Sequence, residues 1–144
     1  MGILFLAQLS PSSAVLPYFS FKVPAGFPSP AGDHLEQEIS LDELLELRAP
    51  HTYLVRVDGD SMQDAGIFSG DLLVVDRSIE AKPGDIVIAA VNAEPMVKRL
   101  GAVGAQIVLF SENPHYPPIY ILEGDELLIW GVVGYSIRSH DHHG

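Results

Sequence analysis

Two residues of this chain combine the types needed for hydroxyl chemistry without a histidine. Ser61 sits in VDGDSMQDAG (57–66), a short acidic turn, after Gly59-Asp60 and before Met62. A serine hydroxyl becomes a nucleophile only when a neighbouring base takes its proton. No histidine lies near it in sequence, and the Gly-x-Ser-x-Gly elbow of many hydrolases is absent. The second residue is Lys98, in EPMVKRLG (94–101). Read as a strand leaving a turn at 92–95, this segment puts Met96, Lys98 and Leu100 on one face and Val97 and Arg99 on the other. If the first face is the core side, Lys98 is desolvated, its ammonium form is disfavoured and its pKa falls. A neutral lysine is a competent general base for a serine. The same residues also have a structural reading, a lysine that snorkels to solvent and a serine that caps a turn. Alternation leaves both open, because it does not say which face is buried.

The elements around these residues read as β. TYLVRV (52–57) alternates, while DLLVVD (71–76) and DIVIAAV (85–91) are apolar runs rich in β-branched residues. KPGD (82–85) places Pro and Gly where a type II turn wants them, and NAEP (92–95) is a tight turn returning into MVKRL (96–100). AQIVLF (105–110) and ELLIWGVVGYSIR (126–138) complete a set of short strands with frequent turn signals. One short amphipathic helix is predicted over LDELLELR (41–48). Ser40 and Glu43 form its capping box, Leu41, Leu44, Leu45 and Leu47 its apolar face, and Pro50 its stop. Residues 1–32 carry Pro11, Pro17, Pro24, Pro28 and Pro30 and predict no packed element. Their apolar residues, among them Tyr18, Phe19 and Phe21, suggest an arm that lies on something. The expected organisation is an N-terminal arm (1–32), a β-rich body (33–139) and a His-rich tail (140–144).

Composition narrows the function classes. With 47% hydrophobic and 19% charged residues over 144 positions, the chain suits one globular domain. Eight basic against 19 acidic residues give a formal charge of −11, which argues against direct DNA binding. There is no cysteine, so disulfides, thiolate catalysis and Cys-based zinc sites are excluded. The start, MGILFLAQLS, has no basic residue ahead of its short apolar run and reads as non-secretory. No run approaches the roughly 20 apolar residues of a membrane span. The expectation is a cytoplasmic protein without a cofactor. The tail SHDHHG holds three of the six histidines, but flexible imidazoles without fixed supporting partners predict no metal site.

GDSMQDAGIFSGDLLVVD (59–76), followed by GDIVIAAVNAEPMVKRL (84–100), resembles the LexA/UmuD family of self-cleaving serine peptidases. That family carries its nucleophile in a Gly-x-Ser-Met turn and its lysine in a Val-Lys-[Lys/Arg]-Leu strand, which map onto Ser61 and Lys98. The upstream stretch AGFPSPAGDHLEQEISLDELL (25–45) resembles the family's cleavage-site region and implies a scissile bond at Ala25–Gly26. The resemblance spans roughly residues 17–137. It implies a compact, mainly β fold of small twisted sheets, Ser61 as nucleophile, Lys98 as general base, and an oxyanion hole from backbone N–H groups of Asp60 and Ser61. Asp60 is expected to face away from Lys98, whose pKa a nearby carboxylate would raise.

Repressor members of the family carry a helix-turn-helix domain ahead of the cleavage site. Only 25 proline-rich residues precede Gly26 here, so the resemblance is to the UmuD branch. It implies a protein of SOS mutagenesis whose self-cleavage is stimulated by a RecA filament on single-stranded DNA. The shortened homodimer would then serve a UmuC-like Y-family polymerase in translesion synthesis. Two other readings remain to be separated: a serine hydrolase using His34, His51 or His115 as base, and a non-enzymatic dimeric regulatory subunit of the polymerase.

Overall fold

A computed structural model describes residues 2–8, 15–19, 35–47 and 51–141. The architecture is mainly antiparallel β with one short helix. In chain order the strands are β1 (Gly2–Gln8), β2 (Val15–Phe19), β3 (Leu35–Ser40), β4 (Thr52–Asp58), β5 (Leu72–Asp76), β6 (Ile86–Val91), β7 (Glu94–Val103), β8 (Gln106–Phe110), β9 (Ile119–Tyr120) and β10 (Leu127–Ile137). The helix α1 (Leu41–Leu44) follows β3 directly. Eight strands form one sheet in the order β1-β4-β5-β10-β6-β7-β8-β9, and β2 and β3 form a separate pair.

The apolar runs explain the middle of the large sheet. Along β6, Ile88 joins a core with Val55, Val57, Met62, Ile67, Leu73, Val75 and Val97. Its neighbours Val87 and Ala89 join a second core with Met96, Leu109 and Val132. Adjacent side chains point to opposite faces, so β6 is buried on both, and a strand buried on both faces has no polar alternation to show. The sheet therefore folds around two cores. The bends fall in β10, where the register slips between Ile129 and Gly131 and again between Val133 and Tyr135. At Gly131 a Cβ would stand 2.6 Å from Val75 Cγ1 and 3.0 Å from the Asp76 carbonyl oxygen, so this irregular, crowded point requires glycine.

The predicted strands of the body are present, with bounds moved by a residue or a few. The turn at 82–85 closes through an Asp85 N–H bond to the Lys82 carbonyl at 3.0 Å. The next hairpin turn is centred one residue earlier than its sequence suggests. Asn92 (φ 49°) and Ala93 (φ 70°) form the two-residue loop, and Glu94 and Pro95 already belong to β7.

Two expectations need correction. The helix is one turn, not two: Glu46 turns to φ 57° and ends it before Pro50 can act. Ser40 caps it by accepting from the Asp42 N–H at 3.2 Å; Leu41 and Leu44 stay 43% and 44% exposed while Leu45 and Leu47 are half-buried, so the leucine face is only partly covered. Within residues 1–32, which predicted no element, β1 pairs with β4 and β2 with β3. Residues 2–8 contain no proline, and Pro17 lies in a strand with a single partner strand among the described residues, where a missing donor is tolerated. Ala25 and Gly26, His34 and the last three residues of the tail lie outside the described residues.

Candidate active site

The site begins where β4 ends. Gly59, at φ 115°, turns the chain into Asp60 and Ser61, and a single 3-10 turn (Gln63–Ala65) follows. Met62 fixes this turn to the body. It is fully buried in the core with Val57, Ile67 and Val97, and its carbonyl accepts from the Ala65 and Ile67 amides at 3.0 and 3.3 Å. Ser61 is itself 0% exposed.

A second segment, 111–116, straps the turn from the other side. The Glu112 amide donates to the Ser61 carbonyl at 2.8 Å, and the Asp64 amide donates to the Glu112 carbonyl at 2.8 Å. Asn113 Nδ2 donates to the Asp60 carbonyl at 2.9 Å, and the Tyr116 hydroxyl donates to Asp60 Oδ1.

Lys98 arrives from β7. It stands opposite Val87 of β6, on the face that carries Met96 and Leu100 into the second core. Only 6% of the residue is exposed. Its Nζ donates to Ser111 Oγ at 2.7 Å and lies 5.6 Å from the centre of the Tyr116 ring. Among the described residues it forms no ion pair. Burial pushes its pKa below the ordinary lysine value, because the ammonium loses water that one neutral hydroxyl does not replace. The nearest chain neighbours have their charges committed elsewhere: Arg99 pairs with Glu112 through Nε and Oε1 and donates from Nη1 to the Gly84 carbonyl at 2.7 Å.

Ser61 and Lys98 are thus brought to one locus through 111–112. Ser111 receives the lysine, and the next residue holds the serine backbone. Asp60, with its carboxylate occupied by Tyr116, is turned to that hydroxyl. The sequence reading missed Ser111, Asn113 and Tyr116. SENPHYPP (111–118) shows turn chemistry, but nothing local in it points back to residue 61. It also missed the bolt behind the turn: Arg138 grips the buried Asp71 with Nε to Oδ1 at 2.9 Å and Nη2 to Oδ2 at 3.1 Å, and reaches the Gly66 carbonyl at 2.8 Å. His51 and His115 lie on the exposed surface. Among the described residues no cluster of acids and histidines could hold a metal, and no helix is long and apolar enough to cross a membrane.

Comparisons with known proteins show what the whole chain is similar to. The Peptidase S24-like family model matches residues 17–134. Protein SamA of Salmonella typhimurium is 43% identical over 133 residues, covering 92% of either chain. Protein MucA of Escherichia coli is 41% identical over 126 residues, 87% of this chain and 86% of that one. The LexA repressor of Bordetella avium is 43% identical over 122 residues, 85% of this chain but 57% of the repressor.

Proposed function

The chain belongs to the Peptidase S24-like family of self-cleaving serine peptidases, and from that premise we propose that Ser61 is its nucleophile and Lys98 its general base. The observation that carries this is the state of Lys98. It is an almost dry amine, without a carboxylate partner among the described residues, tied to the segment that holds the Ser61 backbone. A lysine kept for stability alone would gain from an ion pair or from solvent. One kept as a base must lose its proton near neutrality, and burial serves that end.

The reaction follows from these positions. Neutral Lys98 takes the Ser61 hydroxyl proton as Oγ attacks the carbonyl carbon of Ala25. The tetrahedral oxyanion accepts hydrogen bonds from the backbone N–H groups of Asp60 and Ser61, which the Met62 anchor and the Glu112 and Asn113 bonds hold in place. The ammonium then gives its proton to the Gly26 nitrogen, and the Ala25–Gly26 bond breaks. Residues 1–25 remain as an ester on Ser61 until water, deprotonated by Lys98, releases them. Ala25 and Gly26 fall in sequence between β2 and β3. The 35 positions from Gly26 to Ser61 give ample reach within one chain or to a partner.

The cellular reading is an SOS mutagenesis protein. A RecA filament on single-stranded DNA stimulates the cleavage, and the homodimer beginning at Gly26 joins a UmuC-like Y-family polymerase. The similarity to SamA and MucA over nearly the whole chain supports it, as does an acidity unsuited to direct DNA binding. The deciding measurement is the intact mass of the protein after incubation with RecA, an ATP analogue and single-stranded DNA. The product expected is the chain lacking residues 1–25, formed by wild type and by His51→Ala and His115→Ala. Ser61→Ala and Lys98→Ala should slow its formation by at least about 10⁴-fold. Undiminished cleavage by Lys98→Ala would end the dyad reading. Capture of the polymerase by the full-length and the Gly26-initiated chains alike would remove the arm from partner choice.

A further inference from the structure

Tyr116 touches both ends of an electrostatic conflict. Its ring centre lies 5.6 Å from the Lys98 amine, and its hydroxyl donates to the Asp60 carboxylate, one residue before Ser61. A carboxylate free to approach Lys98 would hold the proton on the amine and disable it as a base. We infer that Tyr116 is a positioning residue of this site: its ring covers the Lys98 amine while its hydroxyl holds the Asp60 carboxylate off it. This rests on the dyad reading above for its meaning in catalysis, but not for its physics.

Three observations carry it. The Asp60 carbonyl is bound separately, by Asn113 at 2.9 Å, so the backbone at Asp60 stays in place while Tyr116 governs the side chain alone. Covering the amine with an aromatic ring keeps water out at little expense, since a ring face tolerates a nearby cation when the lysine is protonated. The bond to Asp60 also holds the Tyr116 hydroxyl protonated, its pKa raised above the ordinary phenol value, so the arrangement persists through the pH range in which the lysine titrates.

The other titratable groups on the surrounding elements do not replace this role. Glu112 is engaged by Arg99. Asp85 accepts from the Lys82 N–H at 2.9 Å. Asp64 and His115 are exposed. Strands β1, β6 and β8 carry no titratable residue. Asp60 is therefore the acid whose freedom Tyr116 controls.

The test reads Lys98 directly, by the ¹³Cε chemical shift of labelled lysine against pH, in a Ser61→Ala background that does not cleave. Tyr116→Ala should move the Lys98 midpoint upward by about one pH unit, as water and Asp60 both gain access. Tyr116→Phe keeps the ring and frees only the carboxylate, so its upward move should be smaller. Adding Asp60→Asn should abolish the move in Tyr116→Phe and reduce it in Tyr116→Ala. With Ser61 intact, the midpoint of the cleavage-rate profile should move by the same amounts, a response that simple destabilisation would not give. An unmoved Lys98 midpoint in Tyr116→Phe, or a Tyr116→Phe move that persists undiminished with Asp60→Asn, overturns the inference. If Lys98→Ala still cleaves while these midpoints move as stated, the dyad reading fails and the spacer role of Tyr116 stands.

Discussion

Glu112 donates its backbone N–H to the Ser61 carbonyl over 2.8 Å, one residue after the hydroxyl that accepts the Lys98 amine. Ser61 and Lys98 come from segments 37 positions apart, and neither strand geometry nor the core alone would align them. The link is the 111–116 strap. Its backbone holds the serine and its first side chain holds the lysine, so the two residues are tied to one short covalent segment.

Ser111 should accordingly matter to rate more than to stability. Its Oγ accepts one hydrogen bond from Lys98 at 2.7 Å and thereby aims the amine. Ser111→Ala should lower the self-cleavage rate about 10-fold, the equivalent of one hydrogen bond of roughly 1.4 kcal/mol in the transition state. Ser111→Thr, which keeps the hydroxyl, should recover most of it. Timed gels for rate and thermal melts for stability make the comparison. Equal losses in both variants would deny the hydroxyl this role.

The pH dependence has a defined sign. Burial lowers the Lys98 pKa, and only the neutral amine can take the serine proton. Unassisted cleavage should therefore accelerate as pH rises from 7, about tenfold per unit, until the amine is mostly neutral and the rate levels. Wild type incubated from pH 7 to 10 should show this rise, and Ser61→Ala no cleavage at any pH. A rate that is flat or falls over the range would exclude a titrating lysine.

The same burial has a consequence for folding with the opposite beneficiary. Lys98 binds its proton less tightly folded than unfolded, where its pKa is the ordinary 10.5. Between the two values the unfolded chain holds more protons, so stability rises with pH through that window. Below the folded value the full penalty for a buried ammonium is present, and above 10.5 it is gone. Lys98→Met keeps the stem and drops the charge. It should unfold at higher urea than wild type at pH 7, with the gap shrinking toward pH 10. A gap that grows with pH would mean that the lysine stabilises the fold as a cation.

The face shared by Met96, Lys98 and Leu100 follows from alternation alone, because β7 is regular through that stretch and a strand has a period of two. The strands of the body follow from apolar runs between turns. What alternation could not show is long-range: the side chains of Asn113 and Tyr116 reach Asp60 across 53 and 56 positions, and Glu112 meets the serine turn through backbone groups that every residue type possesses. The Asp71–Arg138 pair, 67 positions apart, is hidden for the same reason. The leucine pattern over 41–48 overstates the helix because it reports amphipathicity and not where the backbone turns, here at Glu46. The high proline count over 1–32 hides the proline-free run that forms β1.

Met62 joins the core to the chemistry. It is fully buried, and it is covalently next to Ser61. Met62→Ala should leave a cavity between Val57, Ile67 and Val97 and cost about 2–5 kcal/mol by urea unfolding. Met62→Leu, similar in volume, should cost less than about 1.5 kcal/mol. The informative comparison is cleavage at a temperature where both variants remain folded. If the Met62 anchor holds the Asp60 and Ser61 amides in the geometry the oxyanion needs, Met62→Ala should cleave up to about 100-fold more slowly even in its folded fraction, since a displacement near 1 Å suffices for such a loss. Met62→Leu should stay near wild type. If folded Met62→Ala cleaves at the wild-type rate, the anchor is a core residue only, and the Glu112 and Asn113 bonds hold the turn without it.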